Sequence, residues 1–145
     1  MKRTLSLVMC AVLLALSFGV GVSAEESNYI EYFDDGSYAI TEITESNSLA
    51  RATKTGVASK SYYNSSGKKL VTLELTGTFN YVYGSSASAT SATVAITLHT
   101  SDAKYVSRNS YCSGATAHGS VTFTYNGTNR TMSTKLTCDK YGNLS

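Results

Sequence analysis

The stretch Leu70-Val71-Thr72-Leu73-Glu74-Leu75-Thr76-Gly77-Thr78-Phe79-Asn80-Tyr81-Val82-Tyr83 decides the fold. Val71, Leu73, Leu75, Phe79, Tyr81 and Tyr83 share one parity, while Thr72, Glu74, Thr76, Thr78 and Asn80 hold the other. A period of two with an apolar and a polar side is the mark of a strand with one face buried and one wet. Gly77 interrupts the apolar phase, which predicts a bulge or a bend towards a second sheet.

The same alternation continues outward in both directions. Before it, Val57, Ser59, Ser61 and Tyr63 lead into Asn64-Ser65-Ser66-Gly67, a turn-forming cluster. After the loop Gly84-Ser85-Ser86-Ala87-Ser88 come Ala92, Val94, Ile96 and Leu98, then a weaker strand over residues 103 to 107. Val121, Phe123 and Tyr125 follow. The chain then turns at Asn126-Gly127-Thr128-Asn129 and returns through Met132, Thr134, Leu136 and Cys138. No helical period occurs after residue 24. The expected fold is therefore all-β, an antiparallel two-sheet sandwich with an immunoglobulin-like arrangement.

Ahead of this body lies Tyr29-Ile30-Glu31-Tyr32-Phe33, then Asp34-Asp35-Gly36-Ser37, then Tyr38-Ala39-Ile40-Thr41-Glu42-Ile43, which predicts a hairpin. It is acidic: seven of the ten Asp and Glu precede residue 46, leaving the rest of the chain with a surplus of seven positive charges. The expectation is a hairpin and linker over residues 25–50, with the linker at 45–52, that behaves as a detachable arm on a sandwich of residues 51–145. The charge asymmetry reads first as a solvated acidic arm; the alternative is a segment docked on the basic body, which would cover a basic, tyrosine-bearing surface until a trypsin-like protease cut at Arg51.

The first residues carry Lys2 and Arg3, an apolar run from Leu5 to Leu16 too short for a stable span, and the small-residue sequence Val22-Ser23-Ala24. This grammar predicts a signal peptide over residues 1–24, cleaved between Ala24 and Glu25, against the alternative of a retained anchor. Cys10 falls within that segment, after a bulky Met9, and is not read as a lipid-anchor site. The exported chain then has ten basic and ten acidic residues and no net charge. A nucleic-acid binder or a polybasic membrane binder needs a surplus of Lys and Arg, so neither is expected. No integral membrane segment is expected in the mature chain, and the oligomeric state stays open.

Candidate chemistry is sparse. Cys112 and Cys138 in an exported domain are expected to form a disulfide; the alternative, Cys112 as a nucleophile with His118 as its base, has no activating motif. His99 and His118, with Asp102 near the first, lack a second close set of ligands for a metal. Asp34 and Asp35 invite a glycosidase pair, but aspartate beside glycine is ordinary turn chemistry. No cofactor is implied. Asn64-Ser65-Ser66, Asn126-Gly127-Thr128 and Asn129-Arg130-Thr131 match the N-glycosylation pattern and mark exposed turns. Eleven tyrosines remain. Tyrosine gives large contact area at low entropic cost, and Tyr62, Tyr105 and Tyr111 are the candidates for exposed recognition residues.

Several blocks together resemble a family of short secreted proteins from anaerobic Gram-positive gut bacteria: Tyr32-Phe33-Asp34-Asp35-Gly36-Ser37-Tyr38, Ala52-Thr53-Lys54-Thr55-Gly56, Tyr62-Tyr63-Asn64-Ser65-Ser66-Gly67 and Leu136-Thr137-Cys138-Asp139-Lys140-Tyr141-Gly142-Asn143. The resemblance implies a signal peptide, an acidic hairpin and a β-rich body, and carries no activity with it. Similar sequences often have Trp after the second hairpin turn, where Leu70-Val71 stands here. The functional expectation is a secreted, non-enzymatic domain that binds a host or cell-surface protein or glycan, in its sharpest form an immunoglobulin. The alternative is a secreted hydrolase of glycan or peptidoglycan, for which Glu74 would need a second carboxylate or a histidine in a cleft.

Overall fold

The computed structural model describes residues 28–46 and 53–145. The signal peptide, its cleavage site at Ala24 and Glu25, most of the expected linker and Arg51 lie outside the described residues. Eight strands form: β1 (Asn28–Tyr32), β2 (Tyr38–Ser46), β3 (Thr53–Tyr63), β4 (Lys69–Val82), β5 (Ser86–Leu98), β6 (Ala103–Ser113), β7 (Thr116–Tyr125) and β8 (Thr128–Thr137). They build two antiparallel sheets, one in the order β1-β2-β3-β4-β5 and one in the order β6-β7-β8. This is the expected all-β sandwich. Within each sheet every strand pairs with its successor in sequence, and the chain changes sheet once, between β5 and β6, so the connections form a meander where an immunoglobulin arrangement carries Greek-key returns.

The core lies where the two sheets face each other. Sheet one contributes Ala58, Tyr62, Leu70, Val71, Leu73, Leu75, Phe79 and Val94, and sheet two Ala117, Val121, Phe123, Met132 and Leu136. The parity read from β4 is the observed one as far as Tyr81, half-buried against the core between exposed Asn80 and Val82, and the chain leaves the strand before Tyr83, which is exposed. Gly77 is not the bulge. The irregularity falls between Thr78 and Phe79 in the pairing with β5, and β4 remains in one sheet throughout. A Cβ on Gly77 would meet the Phe79 ring at 2.9 Å and Ala117 Cβ at 3.1 Å, so the glycine makes room for close approach of the sheets. Gly119 has the same role on β7, where a Cβ would meet Val94 at 2.7 Å.

The acidic hairpin is part of this structure and not an arm upon it. β2 pairs with β3 over its whole length, from Tyr38 opposite Tyr63 to Ser46 opposite Thr55. Ala39 is fully buried. Two ion pairs fasten the hairpin further. Lys60 Nζ meets Glu31 Oε2 at 2.5 Å while also donating to the Ser133 carbonyl at 3.2 Å, and Arg130 Nη2 meets Asp35 Oδ2 at 2.6 Å. The solvated arm that the charge asymmetry suggested first is not what forms: the hairpin meets Lys60 and Arg130 and pairs as two strands of a five-stranded sheet.

No disulfide joins Cys112 to Cys138. Cys112 is exposed on β6 and Cys138 is buried just past the end of β8, its thiol donating to the Asp139 carbonyl. The register explains it: Cys112 lies opposite Ala117, and Ala117 lies opposite Leu136, so β7 stands between the two cysteines. Two strand spacings amount to about 10 Å, beyond the roughly 7 Å that a disulfide spans between Cα atoms. Titration of the folded protein with a thiol reagent is accordingly expected to label Cys112 within seconds to minutes and Cys138 only on unfolding. Equal labelling, or none before reduction, would contradict this arrangement.

Candidate functional site

Two connections of one design place the site. In the first, the Phe33 amide donates to the Ser37 carbonyl and the Gly36 amide to the Phe33 carbonyl; in the second, the Asn64 amide donates to Lys68 and the Gly67 amide to Asn64. Gly36 and Gly67 sit at φ of 77° and 78°, which a glycine adopts without strain. Each turn is closed by a side chain. Asp35 Oδ1 accepts from the Ser37 amide and hydroxyl, and Asn64 Oδ1 accepts from the Ser66 and Lys68 amides. The Ser37 bonds hold Asp35 below the ordinary carboxylate range against the opposing effect of desolvation, with Arg130 adding to them.

The residues flanking these turns fall into one row across the outer face of the larger sheet. Tyr32 lies opposite Tyr38, Tyr38 opposite Tyr63 and Tyr63 opposite Lys69. The last pairing depends on a register shift after Tyr62. It leaves Leu70 as the extra residue, buries Leu70 and Val71 together, and brings Lys69 round beside Tyr63. Leu70 and Val71, which follow the second turn, are thus both core positions.

Within the row, the Tyr38 and Tyr63 rings stack at 4.8 Å with 7° between their planes, and Tyr32 leans on Tyr38 at 6.1 Å and 42°. Lys69 Nζ covers the far side of Tyr63, 5.5 Å from its centroid. Stacked rings occupy each other's faces, so the row offers solvent its edges and hydroxyls together with the open face of Tyr32, which is 75 % exposed. Ile30, exposed, and Ile40 form the next row, continued by Ser61, Thr72 and Thr97; the Ser61 and Thr72 hydroxyls are 3.0 Å apart, and His99, just past β5, reaches Thr72 at 2.8 Å.

The tyrosines singled out from sequence are not brought together. Tyr62 is only 2 % exposed: its ring packs edge-on to Phe123 at 5.2 Å and its hydroxyl donates to Ser37 Oγ at 2.7 Å. Its neighbour Tyr63 is the outward one. Tyr105 and Tyr111 are exposed, but Tyr105 lies opposite the buried Phe123 while Tyr111 lies opposite the outward His118, so they belong to different faces of β6. Tyr111 and His118 stack at 4.6 Å. Tyr32, Tyr38 and Tyr63 were missed because ring stacking is a property of cross-strand register, although their positions beside two turns of like sequence were a usable signal.

The remaining candidates stay apart. His99 lies just past the end of β5 and His118 on β7 of the other sheet, and among the described residues no group of three or more His, Cys, Asp or Glu is placed to hold a metal. Glu74 is exposed on the outer face between Ser59 and Ala95, with Glu42 two strands away, about 10 Å along the same row. The described residues contain no helix able to cross a membrane. Comparison with protein families, curated proteins and solved structures finds no match to this chain.

Proposed function

We propose that the protein is a secreted, non-enzymatic binding domain that holds an extracellular protein against the outer face of its larger sheet. The observation that carries this reading is the tyrosine row, preorganised by two turns and a bulge and capped by Lys69, with Tyr32 left open. Tyr32 packs against only one ring, so its exposure is not required by the fold. Edge-presented phenols make hydrogen bonds and apolar contact at low entropic cost, as antibody combining sites do. A sugar-binding platform needs ring faces laid open to the ligand, and here most of them are already used by stacking; this favours a protein partner over a glycan. Immunoglobulin is the specific form of this reading.

The test is retention of serum and mucosal proteins, including purified immunoglobulins, on immobilised exported protein and on the variant Tyr32→Ser. Because Tyr32 is so exposed, the variant is expected to fold with unchanged stability. A partner held at micromolar concentration by the wild type and at least tenfold more weakly by Tyr32→Ser supports the proposal. Equal retention by both, or no retention by either, rejects it.

A further inference from the structure

The sandwich has strand edges that differ in how they are protected. The β5 edge is sealed by β6, through Arg108 Nη1 on the Val94 carbonyl at 3.1 Å, Ser110 Oγ on the Ala92 carbonyl at 3.0 Å and the Ala89 amide on the Gly114 carbonyl at 2.8 Å. The β8 edge is covered by Lys60 on the Ser133 carbonyl and by Ser145, which exchanges two backbone bonds with Thr137. β1 has none of this. Among the described residues its outer edge has no neighbouring strand, its sequence contains no Lys or Pro, and its register with β2 is free of bulges. Charge, proline and bulges are the usual devices that keep an edge from pairing, and the one charge in β1, Glu31, is already matched by Lys60. The side chains beside this edge are large and exposed: Tyr29 at 67 %, Ile30 at 46 % and Tyr32 at 75 %.

We infer that β1 pairs antiparallel with β1 of a second copy, joining two five-stranded sheets into one of ten strands. The alternation of bonds in the hairpin fixes the register. Since Phe33 donates to Ser37 across the hairpin, the inward-bonding residues of β1 are Tyr29 and Glu31, and the amides and carbonyls of Asn28, Ile30 and Tyr32 point to the free edge. A two-fold axis at Ile30 sets Ile30 opposite its own copy and residue 32 opposite residue 28, so that every outward group finds a partner. On the other face it places Tyr29 beside Glu31 of the second copy. A slip of one pairing step puts Glu31 against Glu31 and loses backbone bonds, which disfavours it.

Charge does not oppose the contact, since Glu31 is already matched by Lys60. The pairing joins two backbones and partly covers Tyr29, Ile30 and Tyr32 of each copy, a contact of at most on the order of 1,000 Å² that leaves the outer face of Tyr32 open. That is the lower limit for a specific interface, so the dimer is expected to be weak and reversible. The two-fold axis runs perpendicular to the sheet. Both tyrosine rows therefore face the same side, and a partner with two sites would be held bivalently.

Sedimentation of the exported protein between 1 and 300 μM is expected to show a monomer passing to a dimer, and Ile30→Lys is expected to remain monomeric with unchanged circular dichroism. In a Cys112→Ser background, Ile30→Cys is expected to cross-link two chains on mild oxidation, whereas Tyr32→Cys, far from its own copy in this register, is not. A wild type that stays monomeric at 300 μM, a dimer that survives Ile30→Lys, or cross-linking through position 32 in preference to position 30 would each overturn the inference.

Discussion

Replacing Phe123 by alanine is expected to lower stability by about 3–5 kcal/mol, the cost of deleting a fully buried aromatic ring and leaving a cavity behind. Phe123 is 0 % exposed and touches Tyr62 edge to face, so it is where the smaller sheet meets the aromatic centre of the larger one. Tyr62 in turn packs against Phe33 at 5.5 Å and holds Ser37, and Ser37 holds Asp35. Loss of the Phe123 ring therefore loosens the first turn as well as the core. Urea unfolding should show a lower midpoint with little change in slope, since the surface exposed on unfolding is nearly the same. A loss below 1 kcal/mol would mean that the two sheets do not share this core. Tyr62→Phe keeps the ring and removes only the hydroxyl, and is expected to cost about 1 kcal/mol.

What the sequence made legible was whatever one strand or one turn encodes by itself. The β4 alternation identified Leu73, Leu75 and Phe79 as core, and the glycine-bearing clusters at 34–37 and 64–67 located two turns that the structure contains. What depends on how strands lie beside one another was not legible. Tyr62 and Tyr63 exchange roles because the buried side of β3 reads Ala58, Lys60, Tyr62, and a lysine in that series hides the apolar phase. β2 alternates Ala39, Thr41 and Ile43 with Tyr38, Ile40 and Glu42, apolar and polar on both sides, so nothing in it announces a strand with neighbours on both edges. The cysteines share a face, yet only the register shows β7 between them. The tyrosine row follows the same rule, being assembled from three strands and two turns that are each unremarkable alone.

Lys60 gives the second large effect, and it is asymmetric. Its side chain is 10 % exposed, with the ammonium held between Glu31 and the Ser133 carbonyl, while the Glu31 side chain is 42 % exposed. Removing the carboxylate by Glu31→Ala leaves a nearly buried cation with one neutral acceptor, and breaking a buried pair in this way costs about 3 kcal/mol or more. Removing the cation by Lys60→Met keeps the volume of the stem and frees Glu31 to turn into water. The expected cost is about 1 kcal/mol or less, set mainly by the donor lost to the Ser133 carbonyl. In the Lys60→Met background, Glu31→Ala should then cost almost nothing. The same variants probe the hairpin, because Lys60 ties β1 to both sheets: Glu31→Ala should raise hydrogen exchange at the β2 amides that bond to β1 before the core amides of β4 respond. If Lys60→Met proves as costly as Glu31→Ala in urea unfolding, the charge is stabilised by its surroundings independently of Glu31, and the hairpin is held by strand pairing alone.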